Sequence, residues 1–559
     1  MCGIFLETNS LLRKNELQSI SLDLVHRGPD SQNIYIDNYM KISMAFARLA
    51  IQDLSFRADQ PLFSDDKLSY ILFNGEIYNK DKLKQMLPKN FTYKTNSDTE
   101  LLLSCIVNVG LKETLNQIEG MFAFIFVDIS KKTISVVRDL FGIKPMYYMR
   151  NPNGSFKFSS EIKVLRKLLH LNIDKDMLRE FAVCGLIDHT KNTMYSEIKK
   201  IVPGTIFTIG EDFCNEESWV IPSLQKLEFD SKSEALINLS DFVKDSVQKS
   251  LISDVPVGIT LSSGIDSNLI RTFVQEIKPD TQLHSVGWGN DAYSETQDLQ
   301  KYLNPKSLLT VHNFNSSQVY DSILESFGIH DEPYTSPFVA VWPKIFRSMR
   351  KQGISVVLDG TGADEIFFGY TKYLSNSFEG YAQRALDGTK VGLGFKSNYE
   401  YEPVSLSDAR DYDLFKIKLP RSLRFLDSSS MSASIEVRPV FLTKALYELS
   451  SKLPMDLLIS NETTKYPLRW ILNRENPTFP AFERKKSIQL PIAKWINQDW
   501  RQLIVREIKN IDNLLDLIPN QIERESLLIE ANKFCNFDLK TNIQVIWRIL
   551  NLKLWLDSV

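Results

Sequence analysis

Cysteine is scarce in this sequence, and its spacing excludes two kinds of site. The five cysteines are Cys2, Cys105, Cys184, Cys214 and Cys535, and no two of them form a CxxC motif. Because the number is odd and no pair is close, neither a disulfide framework nor a zinc site is expected. This usage predicts a protein of the reducing cytoplasm.

Long apolar runs and a strong net charge are also missing. No apolar core precedes the first charged residues, so no signal peptide is predicted. The most apolar late stretch, residues 543–556, is interrupted by Arg548 and Lys553 and favours a buried or amphipathic helix over a membrane span. The formal net charge is −3 and no long basic run occurs, so nucleic-acid binding through bulk electrostatics is not expected.

The remaining composition is that of a folded protein with more than one domain. A chain of 559 residues is too long for one hydrophobic core, and its 43% hydrophobic and 24% charged residues are ordinary for a globular protein. Prolines and glycines gather between residues 203 and 232. We therefore predict a first domain over residues 2–205, a linker over 206–232 and a second domain over 233–559.

Apolar segments in the first domain predict its elements. Residues 71–73, 122–127, 134–137 and 146–148 have the composition of strands. Apolar residues at helical spacing follow Asp98, which is a candidate helix cap. Strands and helices mixed at this density predict sheets covered by helices.

The second residue is a candidate nucleophile. Removal of Met1 would leave Cys2 with a thiol and a free α-amine, which titrate near pH 8.5 and about pH 8 respectively in model compounds. The amine can then take the proton of the thiol, directly or through one water. Such a residue is an activated nucleophile that carries its own base.

Polar residues further along the first domain could hold a small amide that also carries α-amino and carboxylate groups. An α-amino acid requires a guanidinium for its carboxylate and a carboxylate for its ammonium, and Arg48 and Asp98 could supply them. The Asn74 side chain and the Gly75 backbone N–H could stabilise an oxyanion when Cys2 attacks a carbonyl.

The order of these motifs resembles the glutaminase domain of class II glutamine amidotransferases. The matching segments are Cys2-Gly3-Ile4, His26-Arg27-Gly28-Pro29-Asp30, Arg48-Leu49, Asn74-Gly75-Glu76, Ser97-Asp98-Thr99-Glu100, Glu119-Gly120-Met121 and residues 138–145. The resemblance implies an N-terminal-nucleophile αββα sandwich, with Cys2 as nucleophile and Asn74 and Gly75 as the oxyanion hole. The glutamine-binding residues that it implies are Arg48, Leu49, Ala50, Ile51, Gln52, Asn74, Gly75, Glu76 and Asp98.

The second domain contains a candidate phosphate-binding turn. A β-rich segment ends at Leu261, and a serine-rich loop over residues 262–267 leads into apolar residues at helical spacing. Such a loop presents backbone N–H groups at the positive end of a helix. It lacks the lysine of the GxxxxGK[ST] motif, so a P-loop NTPase is disfavoured. Another predicted strand ends at Asp359 and leads to Asp364, and this acidic strand end suits Mg²⁺ and a nucleotide.

These segments resemble the synthetase domain of the asparagine synthetase family, an ATP-pyrophosphatase-type parallel α/β domain. The resemblance implies ATP and Mg²⁺ as cofactors, Asp266 and Asp364 as metal ligands, and Lys465 as the group that stabilises developing negative charge. The ATP-binding residues that it implies are Leu261, Ser262, Ser263, Gly264, Ile265, Asp266, Ser267, Trp288, Asp359 and Gly360.

The expected reaction is glutamine-dependent synthesis of asparagine from aspartate and ATP. Thr361 stands where the family usually has glutamate, so amidation of another carboxylate, such as a sugar uronate or a peptide side chain, is the alternative. Ser263, Thr443 and Ser487 are further departures. An inactive binding protein is the alternative from a different class, and the intact motifs argue against it. Small-molecule substrates are the expected partners, without nucleic acid or membrane, and a homodimer is compatible with the sequence.

Overall fold

The computed structural model describes most of the chain. The described residues are 2–169, 171–220, 231–288, 296–304, 307–374, 378–379, 381–383, 393–399, 401–460, 462–483, 491–509, 511–538 and 540–559. Among their helices, none combines the length and the apolar character that crossing a bilayer requires.

Two antiparallel sheets form the first half of the protein. Their strand orders are β10-β8-β9-β1-β3-β2 and β12-β11-β7-β6-β5-β4. The strands are β1 (Cys2–Thr8), β2 (Ser31–Asp37), β3 (Ile42–Arg48), β4 (Leu62–Phe63), β5 (Ser69–Ile77), β6 (Gly120–Asp128), β7 (Thr133–Arg138), β8 (Tyr147–Arg150), β9 (Phe156–Ser159), β10 (Ile198–Lys200), β11 (Thr205–Ile209) and β12 (Cys214–Ser218). The helices of this half are α1 (Lys14–Asp23), α2 (Lys80–Lys84), α3 (Asp98–Val109), α4 (Leu111–Gln117), α5 (Ile162–Arg166) and α6 (Lys175–Arg179).

The two sheets pack face to face, and helices cover their outer faces. Side chains alternate along β1, so Ile4 joins the core between the sheets, which Leu72 of β5 also enters. Phe5 points the other way and belongs to the cluster that contains Leu17 of α1. Every residue of β1 is buried, because both of its faces are covered. The predicted αββα sandwich is thereby confirmed.

A parallel sheet forms the centre of the second half. Its strand order is β15-β14-β13-β16-β17, and each neighbouring pair is parallel. The strands are β13 (Val257–Thr260), β14 (Gln282–Gly287), β15 (Leu309–Asn313), β16 (Val356–Asp359) and β17 (Glu436–Pro439). The order changes direction at β13, and such a switch point opens a crevice at the carboxyl ends of the strands. The predicted parallel α/β domain is confirmed.

Helices surround this sheet and complete the second half. They are α7 (Lys232–Ser250), α8 (Ile265–Ile277), α9 (Thr296–Tyr302), α10 (Ser316–Ser326), α11 (Trp342–Lys351), α12 (Ala363–Ile366), α13 (Leu406–Tyr412), α14 (Leu419–Met431), α15 (Lys444–Lys452), α16 (Met455–Leu458), α17 (Tyr466–Glu475), α18 (Ile492–Lys494), α19 (Arg501–Ile508), α20 (Asp512–Leu515), α21 (Gln521–Cys535) and α22 (Ile543–Ser558). Helix α7 begins after the last strand of the second antiparallel sheet, and its buried face includes Leu236, Leu239, Val243 and Val247.

Candidate active sites

Cys2 lies at the first position of a fully covered strand. It pairs with Arg48 across β1 and β3, and its backbone N–H donates a hydrogen bond to Asn74 Oδ1 at 2.8 Å. Burial raises the pKa of the Cys2 thiol. The thiol is therefore protonated at neutral pH, and a nucleophilic role for it requires a nearby base.

Asn74 presents an unused donor beside Cys2. Its side chain is fully buried, and Nδ2 has no hydrogen-bond partner in the structure. An unpaired buried donor costs about 1–3 kcal/mol, so a ligand that accepts from it would be favoured. Gly75 follows on β5, where an added Cβ would come within 2.2 Å of the Met121 carbonyl oxygen of β6. Only glycine permits this close approach of the two strands.

The predicted glutamine-binding carboxylates are buried in the same region. Ser97, rather than Asp98, caps α3, because the Ser97 side chain accepts from the Thr99 N–H. The Asp98 carboxylate instead accepts from the Ile77 N–H at 3.0 Å, and burial raises its pKa. Burial also raises the pKa of Glu76 well above its ordinary value.

The loop after β3 holds the other predicted glutamine-binding residues. The Arg48 guanidinium is engaged within this loop, donating to Asp59 Oδ1 and the Ser55 carbonyl oxygen, each at 2.8 Å. The Gln52 side chain donates to Glu76. The Ala50 N–H donates to Asp30 Oδ2 at 2.8 Å. The Arg48 guanidinium is therefore already paired with Asp59 within the protein.

The serine-rich loop of the second half is held in place by its own side chains. The Gly264 N–H donates to Ser262 Oγ, and the Ser262 N–H donates to Ser267 Oγ, both at 3.1 Å. Asn268 Nδ2 donates to the carbonyl oxygens of Ser262 and Gly264 at 2.9 and 2.8 Å. Helix α8 begins at Ile265, so the loop lies at the positive end of its dipole. An anion such as a phosphate suits this position.

A buried lysine joins two carboxylates beside the loop. Lys465 Nζ lies 2.6 Å from Asp266 Oδ2 and 2.7 Å from Asp364 Oδ1. The backbone of Gly369 packs closely on this group, because a Cβ there would lie 2.0 Å from Asp364 Oδ1 and 2.1 Å from Lys465 Cε. The three functional groups are thus brought together from segments about 100 residues apart in sequence, at positions 266, 364 and 465.

Asp266 and Asp364 fit the requirements of a magnesium ion that is shared with a nucleotide. Asp266 Oδ1 is buried without a hydrogen-bond partner, so this oxygen is available to coordinate a metal ion. Mg²⁺ commonly takes one or two carboxylates and completes its shell with phosphates and water. Among the described residues, no group of three or more His, Cys, Asp or Glu side chains forms a complete metal cage.

A cavity of about 240 Å³, called the nucleotide cavity below, opens at the carboxyl ends of β13, β14 and β16. Its predicted lining residues are Leu261, Ser262, Asp266, Ser267, Asp359, Gly360 and Asp364. The cavity is also lined by residues that the sequence did not predict for it: Thr260, His284, Ser285, Val286, Trp342 and Ile345. Thr361 lines the cavity as well. Of the other predicted ATP-binding residues, Ser263, Gly264, Ile265 and Trp288 are not part of the lining formed by the described residues.

Both halves of the chain match known protein families. Residues 1–220 match the glutamine amidotransferase domain, and residues 238–557 match asparagine synthase. The chain belongs to the asparagine synthase family. It is 28% identical over 596 residues to asparagine synthetase [glutamine-hydrolyzing] 1 of Bacillus subtilis, covering 95% of this chain and 92% of the relative. It is 31% identical over 386 residues to asparagine synthetase [glutamine-hydrolyzing] 2 of Oryza sativa subsp. japonica, covering 66% of this chain and 60% of the relative.

In this asparagine synthase family member, a buried arginine connects Cys2 to the second half of the chain. The Arg27 side chain is fully buried, and its Nε donates to the Cys2 carbonyl oxygen at 3.1 Å. Its Nη1 donates to Asp427 Oδ2 of α14 at 2.8 Å and to Glu161 Oε1 at 3.0 Å. Strand β1, which begins at Cys2, is therefore fixed to α14 of the second half by a charge-assisted hydrogen bond.

A second buried arginine connects the candidate glutamine site to the parallel sheet. Arg438 of β17 is fully buried, lies 3.0 Å from Glu76 Oε2 and donates to Glu436 Oε1 at 2.6 Å. It also donates to the carbonyl oxygens of Ser250 and Ile252 at 2.8 and 2.6 Å. Nothing in the sequence indicates this contact, since 362 residues separate Arg438 from Glu76.

The loop after β3 also packs directly on the synthetase half. Leu49 and Ile51 form a buried cluster with Val356 of β16 and Met431 of α14. Asp254 accepts a hydrogen bond from the Asp53 N–H at 2.9 Å. Side chains predicted to border glutamine thus face strand β16, whose carboxyl end carries Asp359.

Proposed function

We propose that this protein synthesises asparagine from aspartate, using glutamine as the nitrogen donor and ATP as the energy source. The observation that supports the proposal is that one chain brings together the side chains that each half-reaction would need. Cys2 lies beside the unpaired Nδ2 of buried Asn74, and Lys465 lies between two carboxylates at the nucleotide cavity. Family membership supports the same reaction.

In the first half-reaction, Cys2 releases ammonia from glutamine. After removal of Met1, the α-amine takes the thiol proton and Sγ attacks the side-chain amide carbon. Asn74 Nδ2 and the Gly75 N–H stabilise the oxyanion. The C–N bond then breaks, the leaving nitrogen takes a proton and departs as ammonia, and water hydrolyses the thioester to glutamate. Arg48, Glu76 and Asp98 hold the α-carboxylate and α-ammonium of the substrate.

In the second half-reaction, the acceptor acid is activated and then aminated. An oxygen of the acceptor carboxylate attacks the α-phosphorus of ATP, and pyrophosphate leaves. Ammonia attacks the acyl carbon, AMP leaves, and one proton is released to solvent. Lys465 Nζ stabilises the negative charge that develops, and the loop at the start of α8 holds phosphate oxygens. Mg²⁺ bound by Asp266 and Asp364 would neutralise phosphate charge.

A different acceptor carboxylate is the second candidate, and Thr361 is the observation that favours it. The Thr361 N–H donates to Asp359 Oδ1 at 2.8 Å, and its hydroxyl donates to the same oxygen. Thr361 lines the nucleotide cavity and cannot accept a proton there as a glutamate could. Amidation of a sugar uronate or a peptide carboxylate would use the same two half-reactions.

The proposal extends to organisation and location. We propose a glutaminase domain over residues 2–205, a linker over 206–232 and a synthetase domain over 233–559, working in the cytoplasm with small-molecule substrates. All five cysteines are free, which supports a reducing compartment. A homodimer is compatible with these assignments.

The test measures pyrophosphate release and amide formation with glutamine or ammonia. We expect wild-type protein to release pyrophosphate with aspartate, and a response only to another acid would select the second candidate. Cys2→Ala should abolish glutamine-dependent synthesis and leave ammonia-dependent synthesis unchanged, because only the ammonia source is lost. Retention of glutamine hydrolysis in Cys2→Ala would refute the role of the thiol, and absence of pyrophosphate with every acid would refute the synthetase assignment.

A further inference from the structure

The nucleotide cavity combines a polar and an apolar lining that come from different elements. Its carboxylates and hydroxyls belong to the ends of β13 and β16 and the start of α8. Trp342 and Ile345, from the first turn of α11, and Val286 of β14 supply apolar surface. ATP has the same division, with an anionic polyphosphate at one end and a flat aromatic base at the other.

Other aromatic rings hold Trp342 at the edge of this cavity. Its ring stacks on Phe346 with a centroid distance of 5.4 Å and an interplanar angle of 28°. It meets Phe338 edge to face at 5.4 Å and 76°. Trp342 is partly buried, so these contacts cover part of the indole while the residue still lines the cavity. Its orientation is therefore set before any ligand arrives, which lowers the entropic cost of binding.

Trp288 lies one ring further from the cavity. It contacts Phe338 edge to face at 5.9 Å and Trp495 at 5.8 Å, and it is almost completely buried. Trp288, which the family resemblance implies as an ATP-binding residue, therefore packs against Phe338, and Phe338 in turn packs against Trp342. Of the two tryptophans, Trp342 is the one that can contact a ligand in the cavity.

We propose that Trp342 is the aromatic wall on which the base of the nucleotide stacks, with Ile345 and Val286 completing the apolar end. This assignment rests on the proposed function, which places ATP in this cavity. The π face of a base stacks favourably on an aromatic side chain, and phosphates gain nothing from such a contact. Trp342 should therefore determine affinity for the base without affecting affinity for the phosphates.

The experiment compares ATP with tripolyphosphate, which lacks base and ribose, in the full-length protein with Mg²⁺. Binding is measured by calorimetry for wild type, Trp342→Leu and the control Trp470→Leu. Trp470, on α17, is also partly buried, and it is not part of the cavity lining formed by the described residues. We expect Trp342→Leu to raise the Kd of ATP roughly 5- to 100-fold, the range that base stacking on an aromatic side chain supports. The Kd of tripolyphosphate should not change, and Trp470→Leu should bind both as wild type does.

Intrinsic fluorescence supplies an independent readout with a more conservative variant. ATP should quench wild-type fluorescence, and Trp342→Phe should lose this quenching while it still binds ATP. Equal ATP affinity in wild type and Trp342→Leu, or equal weakening of ATP and tripolyphosphate, would overturn the assignment of Trp342. If wild type binds tripolyphosphate but not ATP, or binds neither, the proposed function is refuted, and the assignment of Trp342, which depends on it, is refuted as well.

Discussion

Replacing Arg438 by methionine should destabilise the protein by an amount that depends on pH. The side chain is fully buried, lies 3.0 Å from Glu76 Oε2 and donates to Glu436 Oε1 at 2.6 Å. Methionine conserves most of the volume but removes the cation that these two buried carboxylates share. Removing one partner of a buried ion pair costs about 3–5 kcal/mol, and we expect a loss of stability in this range.

The pH dependence follows from the carboxylates that remain. Burial acts to raise the pKa of Glu436, but Arg438 lowers it below its ordinary value. A carboxylate whose pKa is lower in the folded than in the unfolded state stabilises the protein at pH values above its unfolded-state pKa. This stabilisation is lost as the pH falls through the folded-state pKa. Without Arg438, burial would raise the pKa of Glu436 and would raise further the already elevated pKa of Glu76, so both groups would take up protons on folding. Arg438→Met should therefore lose more stability at about pH 8 than at about pH 5.5.

Denaturant unfolding of wild type and Arg438→Met at these two pH values measures the effect. The double variant Glu436→Gln with Arg438→Met should recover part of the stability and reduce the pH dependence, because it also removes one of the two buried carboxylates that lost Arg438. Lys94→Met breaks an exposed pair with Asp65 and should cause no measurable change. A loss for Arg438→Met that equals that of Lys94→Met, or that is the same at both pH values, would refute the reasoning.

Three further outcomes follow from the local geometry. Gly369→Ala should remove amide synthesis and leave glutaminase activity, since its Cβ would lie 2.0 Å from Asp364 Oδ1 and 2.1 Å from Lys465 Cε; parallel assays of both activities decide. Asn74→Ala should lower glutaminase kcat by about 10²- to 10³-fold, as loss of one oxyanion donor does, and a smaller effect would contradict that role. Lys465→Met should abolish amide formation with ammonia but not glutamine hydrolysis, and unchanged synthesis would remove Lys465 from the mechanism.

Local periodicity was sufficient to predict much of the first half. The predicted strands over residues 122–127 and 134–137 lie within β6 and β7. Residues 122–127 are an unbroken apolar run, and residues 134–137 are apolar except for Ser135. Strand β6 is buried at almost every position because each face meets a hydrophobic layer. The helix after Asp98 was also predicted, although Ser97 provides the cap and frees the Asp98 carboxylate for the Ile77 N–H. A competition between adjacent capping residues is decided by tertiary contacts.

The sequence by itself determined several strands, a helix and the chemistry-bearing segments, because these depend on residue type and short-range spacing. The two fold types were implied by the resemblance of its motifs to known families. Only the tertiary structure decided that Trp342 and not Trp288 lines the nucleotide cavity, and that Arg438 pairs with Glu76 across the two halves. Both choices depend on how α11 and β17 pack. Packing of elements far apart in the chain is set by the combined shape and charge of many side chains, which no local pattern contains.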